Sequence, residues 1–185
     1  SRQLQNQPDG TIDLDDIKSS IRADNVHFPK TSAITLENTH NLCNGSPLEL
    51  EYIKDVAKIV HDNDMKFHVD GARIFNAAVS LGTNVKTLVE DVDSVTFCLS
   101  KGLSAPIGSV ICGDERFINE ARRIRKALGG GMRQAGIIAA AGKVSLDKMI
   151  DQIQEDHDHA QALVEGILKI KGLSIDKDNI KSNIL

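Results

Sequence analysis

The chain is poor in the residues that mark membrane proteins, metal-binding modules and disulfide-stapled domains. Three of its 185 residues are cysteines and no two form a CxxC pair, so neither a zinc site nor a disulfide framework is predicted. No run approaches the roughly 20 apolar residues of a membrane-spanning helix. A net charge of −4, a single tyrosine and no tryptophan argue against nucleic-acid binding. These absences predict a cytoplasmic protein with reduced thiols.

The remaining composition is that of an ordinary globular protein. Hydrophobic residues make up 41% of the chain and charged residues 26%, which excludes a disordered chain. A length of 185 residues suits one domain and part of a second. The chain begins with Ser1 and ends on the apolar residues Ile184 and Leu185, and we interpret this pattern as a fragment of a longer polypeptide.

Short β-type runs alternate with helical periodicity along most of the chain. The runs rich in β-branched and apolar residues predict strands at 32–36, 66–69, 92–99 and 107–112. The periodic segments predict helices at 114–128, 134–144 and 149–170, and one that starts with a capping box at Ser46-Pro47-Leu48-Glu49. The segment 134–144 is nearly uncharged and is predicted to be buried. This order predicts an α/β fold of three layers, with a mostly parallel sheet and helices on both faces.

Residues suited to chemistry follow two of the predicted strands. Asp70-Gly71-Ala72-Arg73 comes directly after the strand that ends at Val69, and Lys101 follows the strand that ends at Leu99. Ligands of open α/β sheets bind beyond the carboxyl ends of the strands. A lysine partly removed from water becomes nucleophilic towards carbonyl groups. Taken singly, each feature also fits a simpler interpretation, namely a strand-end turn with a local ion pair or a surface lysine.

Asp70 and Lys101 together fit the protein side of pyridoxal phosphate chemistry. In such enzymes a lysine amine bonds the cofactor aldehyde and an acidic residue pairs with the pyridine nitrogen. A third feature is the run Gly129-Gly130-Gly131 with Arg133 beside it, which suits phosphate or carboxylate binding through backbone amides and a guanidinium. A plain turn between helices fits this glycine run equally well.

Four segments closely resemble the low-specificity L-threonine aldolase family, and they occur in the family's order. They are 36–41 (LENTHN), 68–73 (HVDGAR), 98–103 (CLSKGL) and 129–134 (GGGMRQ). The family depends on pyridoxal 5'-phosphate and has the aspartate-aminotransferase-like fold. The resemblance covers nearly the whole chain. It implies the central part of the large cofactor-binding domain over 1–155 and the beginning of a small C-terminal domain over 156–185.

The resemblance implies roles for cofactor-binding residues. Lys101 would form the covalent bond with the cofactor aldehyde, and Asp70 would pair with the pyridine nitrogen. Arg133 and Lys126 match basic residues that line the family's active site, with Arg133 near the cofactor phosphate. No metal ligands are implied.

On the substrate side, Arg73 resembles the arginine that binds the substrate carboxylate, and His27 matches a histidine near the substrate hydroxyl. The implied reaction is cleavage of L-threonine or L-allo-threonine to glycine and acetaldehyde by a homo-oligomer, a tetramer by resemblance. The family's ring-stacking histidine and phosphate-binding Gly-Thr pair would precede Ser1, and a second arginine would follow Leu185. The isolated chain is therefore expected to be weakly active or inactive.

Other interpretations stay open. The same lysine and aspartate serve amino-acid racemases and β-eliminating lyases, and a non-catalytic scaffold subunit would keep the fold without the reaction. His40, after the first strand, either lines the crevice or orders its loop. His157 and His159, two apart on a polar helix, do not share a face, so they predict a solvated surface and not a metal site.

Overall fold

A four-stranded sheet forms the centre of the computed structural model, which describes residues 1–185. The strands, in their order across the sheet, are β1 (Ala33–Glu37), β2 (Lys66–Asp70), β3 (Ser94–Cys98) and β4 (Ser109–Gly113). The first three run parallel, and β4 is antiparallel to β3. The predicted α/β class with a mostly parallel sheet is confirmed, and the four predicted strands are present with small shifts at their ends.

Seven α-helices flank this sheet. They are α1 (Leu14–Ser20), α2 (Leu50–Asp62), α3 (Ile74–Ser80), α4 (Val85–Leu88), α5 (Glu115–Ala127), α6 (Gly136–Lys148) and α7 (Ile153–Ile167). Two 3-10 turns lie at Ile150–Gln152 and Lys177–Asn179. Asp114 caps α5, because its Oδ1 accepts a hydrogen bond of 2.7 Å from Phe117 N. None of these helices has the length and apolar character needed to cross a bilayer.

Helix α2 begins later than the sequence predicts, so the prediction of a capping box at Ser46 is wrong. The residue before the helix is Glu49, and its side chain makes no capping bond. Ser46 instead forms a β-bridge with His40, and Leu48 N donates to Asn38 Oδ1 at 3.1 Å. These bonds tie the segment to the carboxyl end of β1, and this tertiary pairing outweighs the local preference for a helix start.

The main core lies between β1–β3 and the helices on one face of the sheet. Side chains alternate along a strand, and Leu36, Phe67 and Val69 point into this core with at most 3% of their surface exposed. Helices α2 and α3 contribute Ile53, Val56, Val60, Ile74 and Ala77. Asp70 is one residue beyond Val69, so its side chain points to the opposite face, where the strands carry polar residues.

Helices α5 and α6 bury little of their surface. No residue of α5 is buried, and in α6 only Gly142 and Ser145 are. Ile137 of α6 is 89% exposed. The prediction that α6 is buried is therefore wrong. Low charge indicates that a helix can be buried, but burial also needs a neighbouring element, and α6 packs chiefly on the turn that follows it.

Helix α7 packs against α3 through a stripe at helical spacing, formed by Ile153, His157, Ala160 and Val164. His157 is only 6% exposed, so the predicted surface location is wrong for this residue. Its position in the apolar stripe decides its burial, whereas His159 lies on the exposed side, as predicted. The expected boundary between residues 155 and 156 falls inside α7, and the division into domains stays a prediction.

Candidate active site

The carboxyl ends of β1, β2 and β3 meet at one edge of the sheet, where the candidate residues begin. The ladder continues past the strands, because Asn38 N donates to Asp70 O at 2.9 Å and Gly71 N donates to Thr96 O at 2.8 Å. A Cβ added to Gly71 would lie 2.7 Å from that Thr96 oxygen, so this approach of two backbones requires glycine. Asp70 is thereby held between its two neighbouring strands.

The Asp70 carboxylate is exposed and belongs to none of the chain's ion pairs. Its Oδ1 accepts a hydrogen bond from Ala72 N at 3.2 Å. Asp70 lines a groove of about 840 Å³ together with Glu37 and His40. A carboxylate without a protein cation beside it suits a cationic group of a ligand, such as a protonated ring nitrogen.

Arg73 is oriented by Asn41 in the loop after β1, and Asn41 is tied in turn to Glu37 at the end of that strand. Its Nη1 donates to Asn41 Oδ1 at 3.0 Å, and Asn41 N donates to Glu37 Oε1 at 3.0 Å. The other oxygen of Glu37 lies 3.8 Å from His40 Nε2. Sequence reasoning missed the positioning roles of Glu37 and Asn41, although both lie in the segment 36–41 that it singled out. His40 lines the groove, and its backbone also bonds Ser46 and Gly45 within its own loop, so both of its interpretations have support.

Three buried polar atoms just past β1 have no hydrogen-bond partner. They are Asn38 Nδ2, Thr39 Oγ1 and His40 Nδ1, on residues that are 0%, 1% and 8% exposed. Folded proteins rarely leave buried polar atoms unpaired, since each lost hydrogen bond to water is costly. The sheet edge beside Asp70 therefore has free hydrogen-bonding capacity for a polar ligand.

His68 connects this edge to the polar face of the sheet, two residues before Asp70. Its Nδ1 lies 2.8 Å from Ser94 Oγ. Burial lowers the pKa of His68, and the Asp70 charge and the hydrogen bond at Ser94 oppose part of this lowering. The ring is therefore favoured in its neutral form near neutral pH.

Lys101 lies in the loop that joins β3 to β4. Backbone hydrogen bonds of 2.9 Å from Leu99 N to Gly108 O and from Ala105 N to Leu99 O close the base of the loop. Ser104 N donates to Lys101 O at 2.8 Å and forms a tight turn. Leu103 and Ala105 are buried, whereas Lys101 is exposed. These bonds hold the backbone of Lys101 in a turn just past β3, the strand next to the one that ends at Asp70, although Lys101 is not among the residues that line the groove beside Asp70.

The other predicted site residues lie elsewhere on the surface. Lys126 is in the last turn of α5, with its side chain against Gly131, and Arg133 is exposed just before α6. His27 is exposed in an irregular segment, and its backbone N donates to Asn25 Oδ1 at 2.9 Å. No hydrogen bond or ion pair of the chain joins these three side chains to Asp70 or Lys101. Their roles stay predictions.

The chain matches a known protein family over its whole length. The model of the family described as beta-eliminating lyase matches residues 1–185. Low-specificity L-threonine aldolase 1 of Arabidopsis thaliana is 44% identical over 98% of this chain and 51% of its own length. Low specificity L-threonine aldolase of Escherichia coli O157:H7 is 47% identical over 85% of this chain and 46% of its own length. The chain thus spans about half the length of these curated relatives.

A solved structure supports the same fold. The threonine aldolase of Leishmania major superposes with a TM-score of 0.72 at 17% identity, over 88% of this chain and 48% of that one. At this identity the likeness concerns the fold alone, and it agrees with the mixed sheet flanked by helices described above.

Proposed function

The chain belongs to the beta-eliminating lyase family, and from this membership we propose that it carries the centre of a pyridoxal 5'-phosphate-dependent carbon–carbon lyase. The proposed reaction cleaves L-threonine or L-allo-threonine to glycine and acetaldehyde. The observation that carries this proposal is that Asp70 ends β2 and Lys101 follows the neighbouring strand β3, in a chain 44–47% identical to low-specificity L-threonine aldolases.

The residues present fit this cofactor. The free carboxylate of Asp70 suits the pyridine nitrogen, the exposed amine of Lys101 suits the aldehyde, and the unpaired buried atoms past β1 offer hydrogen bonds to polar ring substituents. Arg133 and Lys126 offer cations for the phosphate. When bound, the cofactor supplies an electron sink for the pair released from the Cα–Cβ bond.

The remaining steps fall to the chain's own side chains. The negative charge of Asp70 favours the protonated ring nitrogen, which strengthens the electron sink. Arg73, held by Asn41 at 3.0 Å, binds the substrate carboxylate and so orients the bond that breaks. His27, directly or through a water, accepts the proton of the β-hydroxyl as the aldehyde forms.

We further propose that the complete protein is a cytoplasmic homo-oligomer, a tetramer, that takes part in threonine breakdown and glycine formation.

Replacing the proposed cofactor lysine tests this assignment in the complete protein. Lys101→Ala is expected to abolish acetaldehyde release from L-threonine, because no other side chain would take over the bond to the aldehyde. Borohydride treatment followed by peptide mass analysis should find the cofactor on residue 101 of the wild type alone. Lys86→Ala, which removes an exposed lysine of α4, is the control and should leave both results unchanged. Normal turnover by Lys101→Ala would refute the assignment.

Asp70→Asn separates cofactor binding from catalysis. This variant should still bind the cofactor but lose about a hundredfold or more in turnover, because a neutral amide no longer favours the protonated ring. Spectroscopic titration of the cofactor and acetaldehyde release measure the two effects. A rate near that of the wild type would remove Asp70 from the mechanism. Alanine racemisation and β-elimination are assayed in parallel on the wild type, and activity in either assay without acetaldehyde release would identify that reaction instead.

A further inference from the structure

Asn76 of α3 lies directly beneath the loop that carries Lys101. Its side chain is 1% exposed. A Cβ added to Gly102, the residue after Lys101, would lie 2.7 Å from Asn76 Oδ1 and 3.4 Å from both Cγ and Nδ2. The carboxamide therefore fills the space that a side chain at position 102 would need, and the backbone of Gly102 rests on it.

Two partners hold this carboxamide from the far side. Asn76 Nδ2 lies 3.2 Å from His157 Nε2 on α7 and donates to Asn183 Oδ1 at 3.1 Å. The amide nitrogen has two hydrogens, and the two contacts use both of them, so rotation of the carboxamide is restricted. Because an amide nitrogen only donates, this contact makes His157 Nε2 the acceptor, an arrangement that requires a neutral ring. Burial lowers the pKa of His157, and the neighbouring charges of Asp156 and Asp158 only partly oppose this lowering, in agreement with a neutral ring.

The position of the Lys101 amine depends on the backbone of its loop. The Lys101 side chain is exposed and takes part in none of the chain's ion pairs, so no neighbouring charge directs it. The base of the loop is closed by the bonds between Leu99, Ala105 and Gly108, and its apex rests on Asn76 at Gly102. A movement of the carboxamide would therefore shift the segment that includes Lys101.

We propose that Asn76 is a positioning residue for Lys101, and that His157 and Asn183 fix Asn76 in place and so connect α7 and the C-terminal segment to the reactive amine. The role rests on the proposed function, in which Lys101 bonds the cofactor aldehyde. Bond formation is sensitive to displacements of about 1 Å. Loss of the carboxamide should therefore slow the bonding at Lys101 and not merely weaken the fold.

The test measures how fast pyridoxal 5'-phosphate bonds to Lys101 in the complete, cofactor-depleted protein. Absorbance follows the reaction, and borohydride trapping with peptide mass analysis confirms the residue. Asn76→Ala and Gly102→Ala should each slow the bonding about tenfold, the first by removing the support and the second by pushing against it. Asn63→Ala, which removes an exposed amide, and Gly166→Ala, which adds a methyl group in open space on α7, should keep the wild-type rate.

The double variant Asn76→Ala/Gly102→Ala tests the contact itself. Truncation of Asn76 makes room for the methyl group at position 102, so the double variant should bond the cofactor no more slowly than Asn76→Ala. Two slowdowns that simply multiply would show independent effects and would overturn the proposal.

Substitutions of His157 test whether another hydrogen-bond acceptor can hold Asn76 in its place. Gln at this position retains a side-chain acceptor, so His157→Gln should bond the cofactor near the wild-type rate, whereas His157→Leu should be slowed like Asn76→Ala. Thermal unfolding is measured for every variant. If Asn76→Ala and His157→Leu lower Tm but bond the cofactor at the wild-type rate, Asn76 is only structural and the inference fails. If the wild type acquires no cofactor on Lys101, the proposed function itself fails, and the positioning role falls with it.

Discussion

The part of the chain built on β1–β3 and α1–α4 encloses a continuous core, whereas the part from β4 to α6 encloses almost none. Val56, Phe67 and Ile74 have no exposed surface in the first part. In the second part α5 has no buried residue, and Leu128 is 82% exposed. Both parts show regular apolar periodicity in their sequence. Periodicity therefore selects the face that a helix can bury, and the neighbouring elements decide whether that face is buried.

The same contrast applies to the candidate site residues. Asp70 ends a strand of the packed part and Arg73 follows it, and hydrogen bonds from neighbouring segments hold both of them. Lys126 and Arg133 belong to the open part, where their side chains are exposed. The loop of Lys101 joins the two parts. Three pairs of substitutions measure this contrast, each with one member in either part.

The largest difference is expected from truncation of large apolar side chains. Phe67→Ala should lower the free energy of unfolding by about 3–5 kcal/mol, because it leaves a cavity in a fully buried site. Ile124→Ala on α5 should cost less than about 1 kcal/mol, since its side chain is 58% exposed. Denaturant unfolding of both variants measures the two values. Similar losses would show that the two parts are equally packed in solution.

A smaller difference is expected from adding one methyl group to a glycine. Gly71→Ala should destabilise by about 1–3 kcal/mol, because its Cβ would meet the backbone oxygen of Thr96, which has little freedom to move. Gly136→Ala in α6 adds a methyl group in open space and should be neutral or stabilise by up to about 1 kcal/mol. Thermal unfolding compares the pair. A stable Gly71→Ala variant would contradict the close approach of β2 and β3.

The smallest difference is expected in the acid dependence of stability. Burial raises the pKa of Asp93, but the hydrogen bonds from Lys66, the Phe67 amide and His61 outweigh it, so the net pKa lies below the ordinary value of 3.8. A lowered carboxyl pKa contributes stability above pH 3.8 that is lost as pH falls through the folded-state pKa.

Substitution of this carboxylate exposes the effect. Asp93→Asn should destabilise the protein at neutral pH and flatten the loss of stability on acidification. Asp147→Asn, which removes an exposed partner of Lys143 in α6, should leave the pH profile of the free energy of unfolding unchanged within about 0.5 kcal/mol. Denaturant unfolding measured from neutral pH down to about pH 2 tests this, and parallel profiles for wild type and Asp93→Asn would contradict the assigned shift.

The strands and the sheet edge are the features that the sequence predicted best. Runs of β-branched and apolar residues and the position of polar residues at strand ends are local signals, and they led to β1–β4 and to the edge that carries Asp70. The start of α2 was predicted wrongly, because Ser46 pairs with His40 across a loop, and a local capping pattern contains no information about that partner. Burial of His157 was missed for a similar reason. The helix is polar in sequence, and only the packing of α3 against α7 shows that the histidine belongs to the buried stripe.

The residues around the site were predictable by type but not by contact. Asn41 and Glu37 belong to the segment that drew attention in the sequence, yet their hydrogen bonds to Arg73 and to the backbone depend on how the loop after β1 folds back. Asn76 carried no sequence signal of its own. Its importance follows from the missing side chain at Gly102, which becomes meaningful once the two residues are seen in contact.

The reversal of direction at β4 has a consequence for the reactive amine. A parallel fourth strand would have required a crossover of a dozen or more residues, whereas an antiparallel strand returns through a hairpin. Lys101 therefore lies in the loop 99–108, whose two ends are held together because Cys98 pairs with Ser109. A slip of one residue between these strands would turn every side chain of β4 to the other face. Strand alignment, and not the reach of a long linker, thus fixes the two ends of the loop that carries the lysine.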